Sequence, residues 1–234
     1  MRNLFGSRLT LALLLVLLLL GLPLAVWLDW RHAALNNLQR QANDLNSVIS
    51  SVRGYYASNV VARVLSLPGT TRVVHNYEII PGAIPIPATL SLELARVIGE
   101  QQQNISYRFV SDFPFVNRAP HALDAFESGA LAGLRADSTR PYTQVSTSLL
   151  TAQVRSITPV IMGAACVDCH NAHPESPKRD WKIGDVRGIQ EVTIAAPFAS
   201  GILSFRYLLL CVALILVVLV AYAFRPNRTA SAAT

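Results

Sequence analysis

Two long apolar runs bracket a central stretch in which hydrophobic and polar positions alternate at shorter periods. The first, "LTLALLLVLLLLGLPLAVWL" at 9–28, is twenty residues without a charge, and "YLLLCVALILVVLVAYAF" at 207–224 adds eighteen more. A helix rises about 1.5 Å per residue, so each run can cross the roughly 30 Å of a bilayer's hydrocarbon layer. The pattern predicts two transmembrane helices. Trp27 and Trp30 at the end of the first run, and Tyr222 and Phe224 at the end of the second, suit the two interfaces. Arg2 and Arg8 precede the first run and Arg225 and Arg228 follow the second. By the positive-inside rule, residues 1–8 and 225–234 are then cytoplasmic and 29–206 lie outside the cytoplasm. A cleaved signal peptide is the alternative for the first run, but its length and the lack of an A-x-A site favour an uncleaved anchor.

Between the runs, 31–66 lacks proline and carries Leu35, Leu38, Leu45, Val48, Ile49 and Val52 at mixed three- and four-residue spacings. This predicts a long amphipathic helix. "PGAIPIPATLSLELARVIGEQQQ" starts as a proline-punctuated loop and turns helical near Pro87, with Leu90, Leu94, Val97 and Ile98 on one face. "ISYRFVS" at 105–111 alternates as a strand does, and 123–134 reads as a short helix. Residues 142–162 hold one or two strands and 189–197 another. The expected architecture is α+β: a long N-terminal helix and an antiparallel sheet in one outer domain, flanked by two transmembrane helices.

Charge adds little to this picture. The chain is 52% hydrophobic and 15% charged, with a mean hydropathy of +0.37 and a pI near 9.6. Setting aside the four arginines of the tails leaves 16 Lys+Arg against all 14 Asp+Glu, a net charge of only +2 for the outer region. The basic pI is therefore a topology signal. A nucleic-acid footprint, which needs a clustered basic face, is not expected.

The chemistry lies at Cys166-Val-Asp-Cys169-His170, a C-x-x-C-H sequence. Two thiols at this spacing reach the two vinyl groups of one porphyrin and form thioethers, and the next residue offers an imidazole to the iron. This predicts one covalently bound haem c, with His170 as proximal ligand. Other readings of the same residues are a disulfide or redox pair, a structural cysteine pair, and a zinc site using Cys166, Cys169, His170 and His173. Cys211 sits within the second apolar run and is read as packing.

"ACVDCHNAHPESPKRDWKIGDVRGIQEV" resembles the attachment region of a family of single-haem c-type sensory domains with a PAS-like fold. "YYASNVVARVL", "IPGAIPIPATLSLEL" and "YRFVSDFPFVNRAPHALDAFE" are similar to that family's other segments, in the same order, so that the resemblance covers about 45–197. It implies a PAS-like sheet and a sensory role, with Cys166 and Cys169 as attachment points and His170 as proximal ligand. Such domains commonly sit between membrane helices ahead of a cytoplasmic output module. Here only ten residues follow the second run, so the expectation is output through a partner. Some relatives use a cysteine as second axial ligand, which Cys211 is not placed to supply.

The candidates for that sixth position are His75, His121, His173, Met162 and an open site. His75 is preferred, because it stands far in sequence from the attachment segment and beside the proline-rich stretch. Lys178, Arg179, Lys182 and Arg187 form a basic cluster that suits haem propionates, or else a solvated loop. Trp181 among them is read as packing on the macrocycle or the sheet. The function expected is an extracytoplasmic redox or gas sensor at the inner membrane of a bacterium, with the haem domain in the periplasm. A tethered electron carrier of a respiratory or photosynthetic chain is the alternative. The expected partners are the lipid bilayer, a separate protein and a second copy of the chain. Catalysis is not expected, since no nucleophile–base set or paired carboxylates accompany the motif.

Overall fold

The structure, a computed structural model, describes residues 2–67, 69–115, 122–148, 151–197 and 206–223. The chain divides into two compact units, Leu35–Ala196 and a second made of Met1–Ala34 with Pro197–Thr234. Helix α1 spans Arg2–Tyr55 and includes Pro23, and a C-terminal helix, α6, spans Arg206–Ala223. The expectation of two transmembrane helices is corrected here. Among the described residues, no helix is long and apolar enough to cross a membrane. In α1 the apolar stretch does not end as an element of its own. It runs unbroken into a polar helix carrying Asp29 and Arg31.

In the larger unit, α1 ends in a π turn, Tyr56–Val61, before α2, Ala62–Ser66. The sequence pattern predicts one uninterrupted helix over this stretch. What breaks the ladder is local side-chain competition. Ser58 Oγ donates to the Gly54 carbonyl at 2.9 Å and Asn59 Nδ2 to the Tyr55 carbonyl at 3.2 Å, and such back-bonding diverts carbonyls from the regular pattern.

The buried stripe of α1 is Leu38, Ala42, Asn46 and Ile49, whereas Val48 and Val52 are 55% and 40% exposed. The hydrophobic pattern had the helix but not its phase, because the helix meets the sheet partly through polar groups. Asn46 Nδ2 donates to the Ser156 carbonyl at 2.9 Å, and Gln190 Nε2 donates to the Asn46 carbonyl at 2.8 Å and to Ser50 Oγ at 2.7 Å. Buried polar groups must be paired in this way, since an orphan costs about 1–3 kcal/mol.

Two short strands, β1 (Val73–Val74) and β2 (Ile84–Pro85), pair in parallel ahead of α3, Pro87–Gln101, which starts on the proline as its residue type dictates. The main sheet contains β3 (Ile105–Val110), β4 (Tyr142–Thr147), β5 (Thr151–Ile161) and β6 (Val186–Pro197), in the order β3-β6-β5-β4. β3 and β6 run antiparallel with Val110 opposite Ile189, and β4 and β5 antiparallel with Tyr142 opposite Ile157. The α+β class, the long helix and the antiparallel sheet are thus as expected.

Helix α4, Ala125–Ala136, opens on a reciprocal cap. Asp124 Oδ1 accepts from the Glu127 amide at 2.8 Å, and Glu127 Oε2 accepts from the Asp124 amide at 2.9 Å. Its inner face completes a core of Val110, Ala130, Leu131, Leu134, Ile157, Val186 and Ile189. Between β5 and β6 the C-x-x-C-H segment forms a helix, α5, Ala164–Ala172.

Candidate functional site

Helix α5 carries the three motif residues. Cys166 and Cys169 are three apart and His170 is four from Cys166, spacings that place them on adjoining positions of one helical face. Both thiols are free, Cys166 half-buried and Cys169 exposed. They are not joined in a disulfide. Burial of Cys169 and its neighbour Cys166 push the Cys169 thiol pKa up.

His170 Nδ1 is buried with no hydrogen-bond partner. Its ring meets the ring of Phe115 edge-on at 5.2 Å, and His173 meets the same Phe115 at 5.3 Å. Burial, then repulsion from Arg187 and His173, pushes the His170 pKa down to about 4. The imidazole is therefore neutral at pH 7, the form that binds a metal.

Behind this helix stands Arg187 of β6, only 7% exposed. Its guanidinium donates to Ser111 Oγ and to the Phe113 carbonyl. It also lies 5.4 Å from the ring centre of Trp181 and 6.0 Å from that of Phe115. Trp181 is held by its backbone. Asn171 Nδ2 donates to the Trp181 carbonyl, and the Trp181 amide donates to Asn171 Oδ1, both at 2.9 Å. One side chain of α5 thereby ties the helix to the segment that follows it.

The other neighbour of α5 is the end of α1. The π turn packs against α5. One turn before it, Arg53 donates to Gln190 Oε1 at 2.5 Å and covers the Phe109 ring at 5.7 Å. Burial lowers the Arg53 pKa, against the opposing pull of Tyr107 and Cys166. Tyr107 donates to the same Gln190 oxygen at 3.3 Å, and burial raises its pKa to about 12 despite Arg53.

The family model described as Tll0287-like matches residues 31–195. The chain belongs to the Tll0287-like family. The match covers all but the last two residues of the stretch, 45–197, that carries the family resemblance. No curated protein matches the chain. Among solved structures, the chain is similar to the crystal structure of the cyanobacterial heme-protein Tll0287. The two are 18% identical, with a TM-score of 0.40 over 65% of this chain and 94% of that one.

In this Tll0287-like chain the remaining candidates scatter. His75 is exposed in the turn after β1, and His121 lies outside the described residues. Met162 is 2% exposed at the end of β5, its amide and carbonyl paired with Asp185 and Gly184 at 2.9 Å each. Lys178 pairs with Asp180 at 2.5 Å and stands 4.9 Å over the Trp181 ring. Arg179 donates to the Pro174 carbonyl, and Lys182 is exposed. Arg187 is the one member of the basic cluster that reaches the surroundings of His170. Among the described residues, no three His, Cys, Asp or Glu converge as a metal ion would need, Cys166, Cys169, His170 and His173 included. Cys211 is exposed on α6.

Sequence reasoning missed Ser111, Phe113, Phe115, Asn171, Arg53 and Gln190. The aromatic pair in "SDFPF" was a usable signal. The polar residues of α1 and β6 gave none, because their pairing spans more than 130 positions of sequence, as Arg53 with Gln190 does.

Proposed function

We propose that this Tll0287-like chain carries one haem c on thioethers to Cys166 and Cys169, with His170 as the proximal iron ligand. It acts outside the cytoplasm as a redox or gas sensor that signals through a separate protein. The observation that carries the reading is α5 itself. It presents two unpaired thiols and a neutral imidazole on one face, and that imidazole keeps a buried nitrogen without a partner. This donor set fits haem, whose two vinyl groups take the two thiols and whose iron takes the imidazole. When bound, the group supplies an iron that takes up one electron or a diatomic ligand.

The chain's own residues supply the rest. The two thiols fix the group to α5, and His170 is held neutral for coordination. Phe115 packs edge-on against His170 and Phe113 edge-on against Trp181, apolar surface that would line the proximal side of a bound haem. Sensing is favoured over simple electron carriage by the π turn, which sets α5 directly against the end of α1. A displacement of α5 then bears on a helix of 54 residues that is able to carry it to a partner.

The test is a peroxidase stain of the denatured protein, followed by spectra of the oxidised, reduced and CO-exposed forms. Stain that persists after denaturation, and is lost in Cys166→Ala/Cys169→Ala, establishes the covalent group. Binding of CO or NO by the reduced protein supports the sensor. Reversible one-electron reduction with neither ligand bound supports an electron carrier instead.

A further inference from the structure

One ring nitrogen of His170 is closed off. Nδ1 is buried and has no hydrogen-bond partner, and the ring's edge-on neighbour at 5.2 Å is Phe115, which offers no acceptor. The acceptors that stand close along the chain are engaged elsewhere. Asn171 Oδ1 takes the Trp181 amide at 2.9 Å, and His173 Nδ1, one turn further on, takes the Glu175 amide at 3.2 Å. The Phe113 carbonyl, two residues ahead of Phe115, takes Arg187. Enclosure of Nδ1 leaves Nε2 as the nitrogen for an iron, and the proton of the neutral ring then sits on Nδ1. A ligating histidine almost always donates that proton to a carboxylate, a carbonyl or a water. A buried polar group left without a partner is uncommon and calls for a reason.

We propose that Phe115 is a positioning residue: it holds His170 with Nε2 free for the iron and Nδ1–H unpaired, which makes the proximal ligand a weakly donating imidazole. The inference rests on the haem reading above and deepens it towards gas sensing. A hydrogen bond from the second nitrogen raises the basicity of a ligating imidazole. Without it the ring passes less charge to the metal. Ferric iron depends on that donation more than ferrous iron does, so the reduced form is favoured, and the reduced form is the one that takes up CO. Asn171 serves the same end. Its two bonds to the Trp181 backbone, both at 2.9 Å, fix the roll of α5 that keeps His170 against Phe115.

The experiment is a redox titration of the purified haem-loaded protein, followed in the visible spectrum, for wild type, Phe115→Gln and Phe115→Leu. Phe115→Gln brings an amide oxygen to the place of the ring and gives Nδ1–H an acceptor. It should favour the ferric form roughly tenfold at a given potential, the lower end of what the partners of a ligating histidine contribute. Phe115→Leu stays apolar and should move the ratio by less than about threefold. A Gln variant that titrates as wild type overturns the proposal. So do equal displacements of the two variants, since the acceptor then has no effect of its own. A second measurement uses wild type alone: nuclear magnetic resonance of the reduced protein under CO, with isotope-labelled histidine. The His170 Nδ1 proton is expected where an unbonded imidazole N–H resonates. A downfield, hydrogen-bonded proton overturns the proposal even where Phe115→Gln does not fold. A wild-type protein without haem stain would instead defeat the haem reading itself.

Discussion

Gly188 sits beside Arg187 where β6 passes closest to the end of β3. A Cβ built there would stand 2.6 Å from the Val110 carbonyl oxygen and 3.0 Å from Ser111 Cβ, against an ordinary contact of 3.4–4 Å. The obstructing atom is backbone, held in the β3–β6 ladder through the pairing of Val110 with Ile189, so it has no rotamer to swing aside. Gly188→Ala must push the strands apart by most of an ångström. That loosens the Val110–Ile189 pair and the Ser111 hydroxyl that receives Arg187. Overpacking of this kind costs about 1–3 kcal/mol, and the disturbed buried hydrogen bond adds about 1 kcal/mol. We expect a total loss of about 2–4 kcal/mol. Urea denaturation followed by circular dichroism should show a lower midpoint at unchanged slope. Gly129→Ala serves as the control, because a Cβ on that α4 residue meets nothing within 4 Å. It should stabilise by up to about 1 kcal/mol through helix propensity. A Gly188→Ala loss below about 0.5 kcal/mol, or equal effects of the two substitutions, would refute the argument from close approach.

Leu134 is 0% exposed at the centre of the α4–sheet core, so Leu134→Ala should cost about 2–5 kcal/mol in the same assay. In the haem-free protein, stability should fall on acidification. The His170 pKa is lowered from 6.5 to about 4, so the unfolded chain binds a proton that the folded chain refuses. The contribution is full above about pH 6.5 and is lost as pH falls towards 4. The full shift would be worth about 3 kcal/mol, discounted to about 1–2 for partial exposure. Denaturation at pH 7 and pH 4.5 should show the drop, and His170→Gln should remove that part of it. Asp112, held below the ordinary carboxylate value chiefly by Arg135 against its own burial, adds a further loss only at still lower pH.

The sequence by itself determined the local elements and the donor groups that the site offers. Pro87 starts α3, Asp124 and Glu127 cap α4, and the alternation at 105–110 and 142–161 makes strands, because each signal acts within a few residues. The same holds for Cys166, Cys169 and His170, whose spacing is a property of five consecutive positions. Apolarity alone was a poor guide to the ends of the chain, where run length suggested membrane spans that the described helices do not bear out. Only the tertiary structure decided which face of α1 is buried, since Asn46 is held there by Ser156, 110 positions away. It also decided that the motif lies on a helix, against a π turn at one side and an aromatic wall at the other. The same is true of Arg187, whose place beside His170 depends on Ser111 and Phe113, 76 and 74 positions earlier. Polar pairing at such separations follows no period along the chain, and becomes visible only once the sheet has brought its strands together.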